Sequence, residues 1–139
     1  MMKNKITQDM FPAFQGVIPP TLATVSLDGT PNVTYISHVH YIDEDYLAIS
    51  RQFFSKTWKN INENPHFTVA VNCPETFSLW KINLCFEKEE TEGDLFEEMN
   101  MIITAIASMQ GMEDTFKLQS AVICKVESIQ TLVLNGKIN

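Results

Sequence analysis

Between Tyr46 and Asn62 the chain carries no aspartate or glutamate, yet Arg51, Lys56 and Lys59 fall there. Arg51 is the only arginine in a 139-residue chain of formal charge −7, so this run is a positive island in an acidic protein. It coincides with the point where a strand is expected to give way to a helix, and Ser50, Ser55 and Thr57 cluster with the basic residues. A helix start leaves backbone N–H groups unpaired and carries partial positive charge, which suits a phosphate monoester. Lys56 and Arg51 can add charge-assisted hydrogen bonds, and Ser55 or Thr57 a hydroxyl donor. Asn60, one turn further on, is expected on the same side as Lys56, within reach of a phosphate or a sugar hydroxyl. The same residues also admit a plainer reading, an N-cap serine followed by solvated lysines.

Beside the island lies a β-branched and aromatic run, Asn32 to Ile42, expected to be one strand. Alternation along it puts Val33, Tyr35, Ser37, Val39 and Tyr41 on one face, and Thr34, Ile36, His38, His40 and Ile42 on the other. The first face can support a flat ring or fill an ordinary core. His38 and His40 stand at a spacing that can bind a metal from a strand, but two histidines are too few for a closed site, and no metal is expected. No P-loop, dinucleotide-binding glycine motif or nucleophile elbow is present. The seven carboxylates between Glu87 and Glu98 read as a solvated strand end and helix start.

These residues need elements to hold them. Pro19-Pro20 starts an extended run, Thr21 to Leu27, and Asp28-Gly29-Thr30-Pro31 turns it into a hairpin with the Asn32–Ile42 strand. Tyr46–Ser50 forms a third strand after the Asp43-Glu44-Asp45 turn, and Ser55 to Asn64 a short helix stopped by Pro65. Two more strands follow, His66–Asn72 and Ser78–Phe86. Leu95, Met99, Ile102, Ile103 and Ile106 recur at helical spacing, with Thr91 and Asp94 as a capping box at the start and Gly111 beyond the end. A second helical turn is expected around Glu113 to Leu118, then a last strand, Ala121–Val126. Residues 1–15 read as a polar lead and an amphipathic segment containing Met10, Phe11 and Phe14. The sum is a single α+β domain spanning residues 1–139, mainly β: an antiparallel split or closed barrel with peripheral helices.

Composition narrows the classes of function. With 45% hydrophobic and 19% charged residues, the chain is an ordinary globular domain. Its negative charge argues against a general nucleic-acid binder, which needs clustered Lys and Arg. No segment approaches the roughly 18–20 apolar residues of a membrane span, and the opening residues lack the apolar core of a signal peptide. Cys73, Cys85 and Cys124 form no Cys-x-x-Cys pair and are expected as free, mostly buried thiols in a reducing cytoplasm.

The order of these features resembles a known family. Ile18-Pro-Pro-Thr-Leu-Ala-Thr-Val-Ser-Leu-Asp-Gly-Thr-Pro-Asn-Val-Thr-Tyr-Ile-Ser37 is similar to the opening hairpin of the pyridoxamine 5′-phosphate oxidase-like, FMN-binding split barrels. Leu47-Ala-Ile-Ser-Arg-Gln-Phe-Phe-Ser-Lys-Thr-Trp-Lys-Asn-Ile-Asn-Glu-Asn-Pro65 resembles their strand, phosphate turn and short helix. Glu92-Gly-Asp-Leu-Phe-Glu97, Gly111-Met112 and Phe116-Lys-Leu118 resemble the predicted flavin-nucleotide-binding branch. The resemblance implies a six-stranded split barrel, homodimeric, with FMN in a cleft between subunits. It implies that Lys56 and Thr57 hold the phosphate with Ser50 and Arg51 beside it, and that Asn60 supports the ribityl or phosphate end. Val33, Thr34, Tyr35 and Ser37 would line the isoalloxazine. The family's vitamin oxidases carry an arginine-containing C-terminal segment for substrate, whereas Ser128–Asn139 has neither arginine nor histidine. The expected function is therefore a flavin-dependent oxidoreductase of another small molecule, or a non-catalytic flavin carrier or redox sensor. A deazaflavin or haem in the same barrel, or a barrel with no ligand, are the remaining readings.

Overall fold

A computed structural model describes residues 2–15, 18–52, 55–112 and 117–138. Among them are nine strands: β1 (Met2–Lys3), β2 (Thr21–Val25), β3 (Pro31–Tyr35), β4 (Val39–Asp43), β5 (Tyr46–Arg51), β6 (His66–Cys73), β7 (Ser78–Glu90), β8 (Ser120–Leu134) and β9 (Lys137–Ile138). Two α-helices, α1 (Lys56–Glu63) and α2 (Asp94–Met109), and a 3₁₀ helix over Gln8–Phe14 complete the fold.

All pairings are antiparallel, in the order β3-β2-β6-β7-β8-β5-β4, with the two-residue β1 and β9 attached to β8. The sheet's two outer strands, β3 and β4, are successive parts of one extended run. The single strand expected over Asn32–Ile42 is thus corrected to two, which bend apart at Ile36–Ser37–His38. The first half pairs with β2, and Ile36 N–H still reaches the Pro20 carbonyl at 3.0 Å. The second half pairs with β5, where Ser50 N–H donates to the His38 carbonyl at 3.2 Å. This corner brings the sheet round on itself, so the barrel has six strands when the bent run is counted once. The bend also resets the expected alternation: Val33 and Tyr35 are exposed, whereas Ile36, His38 and Val39 are all buried.

Period-two patterning builds the interior. Val69 and Val71 on β6, Trp80, Ile82 and Leu84 on β7, and Val122, Cys124 and Val126 on β8 meet Leu22, Leu47 and Ile49 in one core. Each fully buried large apolar side chain contributes about 1.5–3 kcal/mol relative to exposure. Met10, Ala13 and Phe14 of the 3₁₀ helix join this core, as does Ile61 of α1.

β5 is buried on both faces, because Ala48, pointing the opposite way from Leu47 and Ile49, packs with Met99, Leu118 and Ala121 beneath α2. That double burial fixes the end of β5, where the island begins. α2 starts behind Gly93 at φ +100°, with no side-chain cap, so the Thr91–Asp94 capping box does not form. Most of the second helical turn expected around Glu113 to Leu118 lies outside the described residues. The hairpin between β2 and β3 turns as expected: Gly29 takes φ +88°, and the Asp28 carboxylate accepts from the Ser26 hydroxyl and from Thr30 N–H. Those bonds, the Ser26 bond first, hold Asp28 down at about 2. Among the described residues no helix is long and apolar enough to cross a membrane.

Candidate functional site

A cleft of about 470 Å³ opens where β3, the barrel corner, the end of β5, the start of α1 and the last turns of α2 converge. That volume is within the usual range for a small-molecule site, roughly 300–1,000 Å³. Val33, Thr34, Tyr35 and Ser37 supply one wall, and Ser50, Ser55, Lys56 and Thr57 the far end. Seven of the nine expected site residues are thus brought together here: Val33, Thr34, Tyr35, Ser37, Ser50, Lys56 and Thr57.

Each polar group has a definable capacity. Ser50 Oγ is committed to the corner, donating to the His38 carbonyl at 3.0 Å and accepting from His38 N–H at 3.1 Å. Thr57 Oγ1 accepts from the Asn32 side-chain amide at 2.9 Å, which leaves its own proton to donate. Ser55 occupies the N-cap position of α1 but makes no side-chain cap bond, so the plain N-cap reading is not what the hydroxyl does. Lys56 is exposed, and no ion pair joins it to a described residue. It is the one charged side chain among the described lining residues. The cleft is therefore cationic, hydroxyl-rich at one end and apolar along β3.

Arg51 and Asn60 sit elsewhere. The Arg51 guanidinium lies 4.4 Å from the centre of the Trp58 ring, and its Nη1 is 3.4 Å from a Glu89 carboxylate oxygen. Asn60 does not share Lys56's exposed side: it is buried and donates to the Thr24 hydroxyl at 3.1 Å, fastening α1 to β2. Arg51 thus joins the end of β5 to α1 and β7, as Asn60 joins α1 to β2.

The structure adds lining residues that the sequence reading did not single out: Asn32, Gln52, Ile106 and Gln110. Gln52 is 4% exposed, and its Nε2 has no hydrogen-bond partner among the described residues. A buried amide donor left unpaired costs about 1–3 kcal/mol, so an acceptor supplied by a ligand in the cleft would be favoured at this position. Its place directly after Arg51 was the one available signal. Ile106 belongs by its spacing to the apolar stripe of α2, and the packing of that helix brings it to the cleft.

His38 and His40 do not line it. Their rings meet, Nε2 to Nδ1, at 3.2 Å, and His40 Nε2 lies 3.8 Å from Glu98. Burial holds His38 at about 4 and lowers His40 as well.

Residues 8–123 match the model of the pyridoxamine 5′-phosphate oxidase family. The chain belongs to that family. A curated relative, an uncharacterized protein of Methanocaldococcus jannaschii, is 28% identical over 131 residues, covering 92% of this chain and 81% of its own. Among solved structures, an FMN-binding protein from Syntrophomonas wolfei has a TM-score of 0.71 at 20% identity, covering 86% of this chain and 80% of that one. HupZ of Group A Streptococcus superposes with a TM-score of 0.69 at 22% identity, over 96% and 98% of the two chains. Two proteins named for other cofactors also superpose on the chain. An F420 reductase has a TM-score of 0.61 at 17% identity, covering 90% and 98% of the chains. The heme storage protein HutZ of Vibrio cholerae has a TM-score of 0.57 at 14% identity, covering 89% and 93%. At these identities the likeness is one of fold.

Proposed function

We propose that this cleft binds FMN and that the protein is a flavin-dependent oxidoreductase acting on a small molecule other than pyridoxamine phosphate. The observation that carries the reading is the convergence of Lys56, the Thr57 hydroxyl and the unpartnered Gln52 amide on one cleft whose described lining has no carboxylate. An anionic, acceptor-rich group matches that donor set, and a flat aromatic one matches the apolar wall of β3. Lys56 and Thr57 would hold the phosphate, and Val33, Thr34, Tyr35 and Ser37 the ring. The absence of histidine from the described lining disfavours haem, which needs an axial ligand.

FMN, when bound, supplies the hydride and electron chemistry. The residues of the chain bind and orient it, and Lys56 provides positive charge that favours a more negatively charged reduced state. Val33 and Tyr35 line the cleft yet are 68% and 73% exposed. A second copy of the chain closing over them would exclude water and complete the site, which makes the active form a homodimer. Three free cysteines suit a reducing cytoplasm.

A non-catalytic flavin carrier or redox sensor is the second reading, favoured by one observation. No carboxylate or imidazole among the described lining residues stands ready as an acid or base. Tight FMN binding with no oxidation of NADH or NADPH selects it over the oxidoreductase.

The decisive experiment is the visible spectrum of the purified protein, followed by mass identification of any released chromophore. Flavin bands and released FMN are expected. A colourless protein that takes up no added FMN overturns the reading, and released haem or deazaflavin replaces it.

A further inference from the structure

On the outer face of the barrel, away from the cleft, three strands bring together an imidazole, a thiol and a carboxylate. His66 on β6 and Cys85 on β7 are direct register partners. Cys85 faces Lys125 on β8, and two residues on lies Glu127. The register shifts there, Leu84 pairing with Val126 and Asn83 with Ser128, so Glu127 is the extra residue of a β-bulge. A bulge re-aims one side chain out of the regular alternation. Here it turns Glu127 towards His66, whose Nδ1 is 2.8 Å from the Glu127 carboxylate. The ligand atoms of His66, Cys85 and Glu127 all lie within 4.8 Å of one another.

We propose that His66, Cys85 and Glu127 form a binding site for a thiophilic divalent metal ion, zinc above all. Thiolate and imidazole together select zinc and its late transition neighbours over magnesium or calcium, and three protein ligands leave the fourth tetrahedral position to water. Ligand atoms on a tetrahedral zinc stand about 3.3–3.6 Å apart, given metal–ligand bonds of about 2.0–2.3 Å. His66 and Glu127 need to separate by about 0.5 Å, and Cys85 to close by at most about 1.5 Å. The His66 and Glu127 side chains are 62% and 40% exposed, so both are able to adjust.

Binding converts the Cys85 thiol to a zinc thiolate and releases one proton to solvent. The neighbouring row is already tied: the Thr68 hydroxyl donates to the Asn83 side-chain oxygen Oδ1 at 2.7 Å, and the Asn83 side-chain Nδ2 donates to the Ser128 hydroxyl at 2.8 Å. That row holds β6, β7 and β8 in the register that presents the three ligands. A groove of about 440 Å³ beside His66, Glu127, Asn83 and Ser128 gives the open metal position access to solvent and to a small ligand. None of its lining residues belongs to the cleft described above.

The test is titration of the full-length, reduced protein with zinc chloride against a chromogenic chelator, repeated with cobalt(II) as an optical probe of thiolate ligation. One equivalent of zinc is expected to bind, with a thiolate-to-cobalt charge-transfer band. Loss of an outer-shell partner already weakens a metal site about 10–100-fold, so Cys85→Ser and His66→Ala should each lose at least about 100-fold. Cys85→Ser should also abolish the cobalt band. His66 is exposed, so His66→Ala keeps the test valid even if Cys85→Ser folds poorly. No stoichiometric zinc uptake, or uptake unchanged in both variants, overturns the proposal.

Discussion

The Asn32 side-chain amide donates to the Thr57 hydroxyl across 2.9 Å, joining the start of β3 to the first turn of α1. These are the two walls of the cleft. The bond fixes their separation and uses an acceptor lone pair of Thr57, so the remaining Thr57 proton can go to a ligand. Replacing Asn32 by Ala should therefore weaken FMN binding although Asn32 is a positioning residue. In a double-mutant cycle with Thr57→Ala, the two effects should couple by at least about 0.5 kcal/mol. Additive effects, measured by flavin fluorescence titration, would assign Asn32 no part in orienting Thr57.

Lys56 is the one charged side chain among the described residues lining the cleft. Lys56→Ala should weaken FMN binding by about 1.5–3 kcal/mol, the range for a hydrogen bond to a charged group, or about 10–150-fold. Riboflavin, which lacks the phosphate, should bind wild type and variant alike. Equal losses for FMN and riboflavin would show that Lys56 supports the fold of the cleft and not the phosphate.

Gln52 makes a prediction of opposite signs. Its buried Nε2 has no partner among the described residues, a destabilising arrangement in the ligand-free protein. Gln52→Leu should make the apo protein more stable to urea, by about 1 kcal/mol or more, while lowering FMN affinity. A variant that loses both stability and affinity would mean that Gln52 already has its partner without a ligand.

What the sequence could convey follows the range of the interactions responsible. The Asp28–Gly29 turn and the strand patterns of β6 and β7 depend on neighbours a few residues apart, and both were legible. The Lys56–Thr57 cluster was legible too, because a strand end running into a helix start is local. The bend at Ile36–Ser37–His38 was not. It arises because the two halves of one extended run pair with different strands, β2 and β5, which are far apart in sequence. Arg51 and Asn60 carry the right chemistry for a phosphate but are not among the cleft's lining residues: Arg51 lies against the Trp58 ring and Asn60 donates to Thr24, contacts that composition does not show. Gln52 lines the cleft from just past the end of β5, and Ile106 reaches it because α2 packs over β5 and β8. Glu127 meets His66 across 61 residues, through a bulge that no spacing rule announces.

The buried histidine pair sets how stability should change with pH. His38 is 3% exposed, and burial, helped by the neighbouring His40, holds it at about 4 instead of 6.5. His40 is lowered too, by burial, against the opposing pull of Glu98. Both rings are therefore neutral in the fold near pH 7, bonded Nε2 to Nδ1, as one donor and one acceptor. In the unfolded chain His38 takes up its proton near 6.5, and in the fold only near 4. Between those values the unfolded state binds more protons, so stability is full above about pH 6.5 and falls as the pH drops towards 4. From pH 7.5 to pH 5 the loss assigned to His38 is about 2 kcal/mol, with His40 adding in the same direction. Urea unfolding at the two pH values measures it. His38→Gln keeps a polar side chain but cannot titrate in this range, so its difference between the two values should shrink by that amount. An unchanged difference in His38→Gln would place the acid sensitivity elsewhere, among the carboxylates.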